Sequence, residues 1–166
     1  MANITLGGKP CKTVGELPAV GSAAPAFTLT KNDMSELSLS EWKGKKVILN
    51  IFPSVDTGIC AMSSRKFNAE ASALNNTVVA CISRDLPFAQ KRFCAAEGLE
   101  NVIMLAEYKN NDFGTAYGVL IADGGFMGLH ARAVVALDEQ GKVTYTQLIP
   151  EVGQEPNYEA ALAVVK

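Results

Sequence analysis

The chain has 166 residues, 48% of them hydrophobic and 19% charged, with a formal net charge of −2. That is enough apolar material for one folded domain over residues 1–166, and it excludes an intrinsically disordered chain. The near-neutral balance, with no basic run, argues against a nucleic-acid partner, and no segment approaches the ~20 consecutive apolar residues of a membrane helix. The first residues, MANITLGGKPCK, lack the charged stretch and apolar run of a secretory signal, so a cytoplasmic location is expected. In that reducing setting the four cysteines are not expected to be structural staples. Cys11, Cys60, Cys81 and Cys94 form no C-x-x-C pair, and there is one histidine, so no metal site is expected. Catalysis or plain burial remains.

In chain order, residues 3–14 read as a hairpin turning at Gly7-Gly8. A short strand follows at Phe27–Thr30. The run Lys46–Phe52 is almost unbroken in its apolar character, the mark of a strand buried on both faces. Thr77–Ile82 and Ala133–Leu137 resemble it, and Val143–Ile149 follows the last across Glu139-Gln140-Gly141. Helical patterns cover Cys60–Leu74, Leu86–Glu97, Asp112–Tyr117 and Pro156–Val165. For the second of these, Asp85 is the expected N-cap, Pro87 lies in the first turn and Gly98 ends the helix. Strands and helices alternate, then finish strand–strand–helix. The expected fold class is α/β, a central mixed sheet flanked by helices, with an N-terminal β-hairpin.

The loop from Phe52 to Cys60 joins a buried strand to a helix, where ligand sites of open α/β sheets lie. It delivers Cys60 to a first helical turn, whose free N–H groups and dipole favour an anion such as a thiolate. By helical phase Cys60 shares the core-facing side with Ser64, Phe67, Ala71 and Leu74. Moving a cysteine thiol from about 8.5 to about 6 takes roughly 3.4 kcal/mol, and a helix terminus supplies ~2 at best. A cation is therefore needed. Thr57 is placed to fold its hydroxyl back toward the sulfur. Arg132, at the entrance of the strand Ala133–Leu137, is the candidate cation, since a charge there calls for a partner. Position alone is better served by a surface arginine at a strand end, and Cys60 alone by a small buried hydrophobe.

The pattern Pro53-x-x-x-Thr57-x-x-Cys60, with the distant Arg132, resembles the active-site signature of the peroxiredoxins. More narrowly, the segments Asn50–Thr57 and Asp85–Cys94 resemble those of the bacterial thiol peroxidases. The resemblance, which covers nearly the whole chain, implies a thioredoxin-like fold and a homodimer packed near the active-site loops. It implies that Cys60 is the peroxidatic cysteine, that Thr57 and Arg132 orient the peroxide, and that Pro53 shields the pocket. Cys94 is implied as the resolving cysteine, forming an intramolecular disulfide that thioredoxin reduces. Hydrogen peroxide and small alkyl hydroperoxides are the implied substrates, and no cofactor is required.

Cys11 and Cys81 have no role in that scheme and read as a bystander and a core residue. His130 stands two residues before Arg132, so in an extended segment it could share that face, though a role near the pocket is the lesser reading. A thiol–disulfide oxidoreductase is the nearest rival, through the C-x-x-S run from Cys60 to Ser63. That rival needs a proline before the facing strand, where Arg132 stands instead. A Cys–His hydrolase has only His130 to serve as base. A non-catalytic redox sensor using Cys60 and Cys94 differs from a peroxidase by turnover alone. For disulfide formation both helices are expected to unwind locally.

Overall fold

The apolar runs at 46–52, 77–82 and 133–137 become adjacent strands of a seven-stranded sheet in the computed structural model, which describes residues 1–166. Strands β1 (Asn3–Leu6) and β2 (Lys9–Lys12) form the N-terminal hairpin. The main sheet contains β3 (Thr28–Lys31), β4 (Glu36–Ser38), β5 (Lys46–Ile51), β6 (Thr77–Ser83), β7 (Ile103–Ala106), β8 (Ala133–Leu137) and β9 (Val143–Leu148). Their order is β4-β3-β7-β6-β5-β8-β9. The strands β5, β6 and β7 run parallel, and all other pairings are antiparallel. Parallel neighbours need crossover connections, supplied here by α1 (Gly58–Ala71) and α2 (Pro87–Glu97). The helices α3 (Asp112–Ala116) and α4 (Tyr158–Ala163) complete the fold.

Both faces of the sheet are covered, which is why its central strands read as runs rather than alternations. Val47, Leu49, Ile51, Ala133, Val135 and Leu137 face a layer built with Phe27, Trp42, Phe113 and Tyr117. Ile48, Phe52, Val134 and Ala136 face the other, against Phe67 of α1, Phe93 of α2 and Tyr158 of α4. A third, smaller cluster joins Ile4 and Cys11 of the hairpin to Ile121, Ala131 and Val152. It holds the hairpin against the end of the sheet from which the β5–α1 loop emerges.

Three features depart from the sequence expectation. The strands β4 and β7 and a 3-10 turn at Leu39–Trp42 were not anticipated. They span three or four residues each, too short for periodicity to declare itself. The helix α1 stops at Ala71 rather than Leu74, because the chain tightens into i→i−3 bonds from Ala73 to Glu70 and from Leu74 to Ala71. Asp85 is not the N-cap of α2. Leu86 holds that position with extended backbone and no capping side chain, and the Asp85 carboxylate is engaged elsewhere. Gly98 does end α2, with φ 67 and its N–H donating to the Cys94 carbonyl.

Candidate active site

The residues after β5 leave the sheet as Phe52-Pro53-Ser54-Val55-Asp56 and enter α1 through Thr57, whose extended backbone makes it the N-cap. Cys60 therefore lies in the first turn, where backbone N–H groups have no intrahelical acceptor. Its side chain is completely buried against Phe52, Val55 and Phe67. Ser63 Oγ donates to the Cys60 carbonyl at 3.1 Å, and Asn50 Nδ2 donates to Ser63 Oγ at 3.3 Å. A buried polar strand residue thus props the helix that carries the sulfur.

Arg132 is 2% exposed. Its Nη2 donates to Cys60 Sγ at 3.3 Å and its Nε to the Val152 carbonyl at 2.8 Å. Its Nη1 is buried without a partner. A guanidinium so placed is the electrostatic complement of a sulfur anion, with one donor still to offer. A cavity of about 150 Å³ opens beside it, lined by Leu6, Pro53, Thr57, Ile59, Phe126 and Arg132 among others. The lining is largely apolar, with polarity concentrated at Arg132 and Thr57.

Pro53, Thr57, Cys60 and Arg132 are thus brought together. Thr57 differs from expectation in one respect: its Oγ1 donates to the Ser54 carbonyl at 3.2 Å, not toward the sulfur. That bond closes the turn before α1, and the hydroxyl oxygen stays on the cavity wall. Cys94 lies half-buried on α2, packed beside the layer that contains Cys60. All four cysteines are free thiols. Burial pushes the Cys94 thiol up, as it does Cys11, where the charges of Asp123 and Glu151 add to the effect. Burial raises Cys81 to about 11, against hydrogen bonds from Asn50 and Ser64. Only Cys60 has a cation against its sulfur. No group of three or more His, Cys, Asp or Glu side chains is placed to hold a metal ion.

His130 does not share the face of Arg132. Its Nε2 meets Glu107 Oε1 at 2.8 Å and its ring lies 5.6 Å from that of Phe113, in the opposite layer. The alternation expected of an extended segment does not reach His130, which lies before β8 begins and pairs with Leu120 in an isolated bridge. Sequence reasoning also missed Leu6 and Phe126 as cavity residues, since only the folded hairpin and the 122–129 turn bring them there. Asp85 was seen only as a cap, although its carboxylate reaches the loop before Cys60.

Comparison with known proteins agrees with this geometry. The Redoxin family profile matches residues 19–162. A thiol peroxidase of Mycobacterium tuberculosis is 58% identical over 165 residues, covering 99% of each chain, and one of Mycobacterium bovis is equally similar. Among solved structures, a peroxiredoxin-like protein from Aquifex aeolicus matches with a TM-score of 0.94 at 36% identity, over 99% of this chain and 96% of that one. A thiol peroxidase from Chromobacterium violaceum matches with a TM-score of 0.91 at 20% identity, over 99% and 95%, a likeness of fold alone. The chain belongs to the Redoxin family, in its thiol peroxidase branch, and is a thiol-dependent peroxidase built on the thioredoxin-like peroxiredoxin fold.

Proposed function

We propose that Cys60 is the nucleophile of this peroxidase, that Arg132 and Thr57 bind the peroxide, that Pro53 shields it, and that Cys94 resolves the product. The observation that carries this reading is the Arg132 guanidinium donating to a buried helix-terminal sulfur at 3.3 Å. In the first step the Cys60 thiolate attacks the terminal oxygen of a hydroperoxide. The S–O bond forms as the O–O bond breaks, and the alkoxide leaves and takes up a proton, giving an alcohol, or water from hydrogen peroxide. The free Nη1 of Arg132 is the donor available to the charge that develops on the leaving oxygen, while Thr57 Oγ1, whose own hydrogen goes to the Ser54 carbonyl, can accept from the peroxide O–H. In the second step the Cys94 thiolate attacks the Cys60 sulfenic sulfur. A disulfide forms and hydroxide departs, becoming water.

Cys60 is fully buried in α1 and Cys94 sits on a separate helix, so this second step requires the first turn of α1 and part of α2 to unwind. Thioredoxin is the proposed source of the two electrons and two protons that restore both thiols. Small alkyl hydroperoxides suit the apolar lining supplied by Leu6, Ile59, Phe126 and Val152, and hydrogen peroxide is the smaller alternative. No helix is long and apolar enough to cross a membrane. A cytoplasmic homodimer formed from one 166-residue domain per subunit completes the proposal.

The test is peroxide consumption with thioredoxin and its reductase. Cys60→Ser is expected to abolish turnover. Cys94→Ser is expected to consume one equivalent of peroxide and then stop. Continued turnover in Cys60→Ser overturns the assignment of the nucleophile, and undiminished turnover in Cys94→Ser removes Cys94 as the resolving thiol.

A further inference from the structure

The Asp85 carboxylate, between β6 and α2, accepts three hydrogen bonds that have nothing to do with capping its own helix. Its Oδ1 takes one from Ser54 Oγ at 2.8 Å. Its Oδ2 takes one from the Val55 backbone N–H at 2.9 Å and one from Ser83 Oγ at 2.6 Å. Ser83 is itself fixed, because its hydroxyl oxygen accepts from Gln90 Nε2 of α2 at 3.0 Å. One half-buried carboxylate thus ties the loop that delivers Cys60 to the segment that starts the Cys94 helix.

Farther along, the second half of α1 is joined independently to the end of α2 and the residues that follow it. Arg65 of α1 meets Glu97 of α2 at 2.9 Å, and Asn101 donates its backbone N–H to Asn68 Oδ1 at 2.8 Å. Local unwinding of the first turns leaves those far contacts in place. The Asp85 link must yield, and with it only the exposed Arg92–Asp56 contact, at 4.0 Å.

We propose that Asp85 is a positioning residue that latches the closed, peroxide-reactive arrangement of Cys60 and sets the ratio between oxidation and disulfide closure. The proposal rests on the two-cysteine reading above. With Asp85 seated, residues 54–57 hold the entrance of α1, and the sulfur stays beside Arg132. Release of the three bonds frees the loop and the start of α2 together, which is the motion that brings the two sulfurs within bonding reach. An aspartate is required because both oxygens accept; an asparagine keeps one acceptor oxygen and turns an NH2 group toward a donor.

Quench-flow with mass spectrometry, after one equivalent of hydrogen peroxide, reads the Cys60 sulfenic acid and the Cys60–Cys94 disulfide separately. D85N is expected to slow oxidation and hasten closure, raising the ratio of the closure rate constant to the oxidation rate constant roughly tenfold, the size of one charged hydrogen bond. S54A, which removes one of the three donors, is expected to move the ratio the same way by a smaller factor. D85N with S54A is expected to do little more than D85N alone, since both break the same link. A residue of merely structural importance lowers both rates together and leaves their ratio unchanged. Hydrogen exchange on reduced D85N is expected to quicken at residues 53–60 and 87–94 and to stay unchanged at 65–71. If D85N fails to fold, S54A carries the same comparison. A wild-type protein that forms no Cys60–Cys94 disulfide overturns the two-cysteine reading and the latch with it. A wild-type protein that closes the disulfide, beside variants with an unchanged ratio, overturns the latch alone.

Discussion

Two buried charged clusters flank the segment His130-Ala131-Arg132, one on each face of the sheet, and they are finished to different degrees. On one face the Glu107 carboxylate accepts from the Phe113 N–H at 2.7 Å, the Gly114 N–H at 3.2 Å, Arg84 Nη1 at 3.2 Å and His130 Nε2 at 2.8 Å. Its acceptor capacity is filled. On the other face Arg132 has Cys60 Sγ and the Val152 carbonyl, and its Nη1 has nothing, beside a cavity. A buried polar group without a partner costs stability, so it persists where something else depends on it. His130 Nδ1 is buried without a partner as well, but of the two residues only Arg132 lines a cavity. The cluster with the saturated carboxylate builds the fold, and the one open to the cavity is where the proposed chemistry resides.

The comparison breaks most readily at Arg132. Removing one donor to a developing oxyanion typically costs about 10²–10³ in rate. Arg132→Ala is expected to slow Cys60 oxidation by about a hundredfold or more, measured as the second-order rate constant with peroxide in single turnover. Arg132→Lys, which keeps charge but not the fork, should fall between. An unchanged rate in both removes Arg132 from the mechanism.

Glu107→Gln is the converse experiment. It removes the carboxylate charge that accepts from the neutral His130 ring and pairs with Arg84, and breaking a buried pair costs about 3 kcal/mol or more. Urea denaturation is expected to show that loss, while the folded fraction oxidises Cys60 at the wild-type rate. A slowed rate with unchanged stability would place Glu107 in the catalytic cluster and erase the contrast.

How far the sequence foretold these two clusters depends on range. The segment from Pro53 to Cys60 is contiguous, and its turn, helix start and burial follow from local chemistry, so that half of the site was legible. Arg132 stood out because a charge at the mouth of the run Ala133–Leu137 breaks the apolar pattern. His130 was open to misplacement, since period-2 alternation does not carry back past the start of β8 into the stretch that pairs with Leu120 in an isolated bridge. Glu107 gave no local signal at all. Its partners come from the 84, 113–114 and 130 regions, and only the closed sheet brings them together. Asp85 was misread for a related reason. A D-L-P start looks like a cap, and the competing donors on Ser54 and Val55 are thirty or so residues away.

Acid should act on the saturated cluster. Burial pushes the His130 imidazole below its ordinary 6.5, against the hydrogen bond and charge of Glu107. Burial alone raises the Glu107 carboxyl, but the hydrogen bond and charge of His130 and the Gly114 and Phe113 N–H groups together hold it below 4.5. The arrangement is a neutral ring donating from Nε2 to a carboxylate, with Nδ1 carrying the lone pair. Both folded-state values lie below the unfolded ones, so the unfolded chain takes up protons first. Their stabilising contributions are complete above about 6.5 and 4.5 respectively, and are lost as the pH falls below those values. Unfolding free energy should therefore decline from about pH 6.5 downward, and His130→Asn should flatten the upper part of that decline. A His130→Asn curve parallel to wild type would mean that the ring is not the group being titrated.

The smallest effect is expected at a third charged pair, which serves as the reference for the other two. Arg65 and Glu97 meet at 2.9 Å with side chains 46% and 31% exposed. Water screens such a pair, and holding two long side chains in one geometry offsets much of the Coulomb gain. A double-mutant cycle with Arg65→Ala and Glu97→Ala is expected to give a coupling of about 0–1 kcal/mol, falling further in high salt. Cys60 oxidation should be unaltered in either variant, because Arg65 lies more than a turn beyond Cys60 along α1 and the pair does not touch the loop before it. A coupling as large as that of Glu107 would mean that burial does not order these pairs, and the distinction between the filled and unfilled clusters would lose its physical basis.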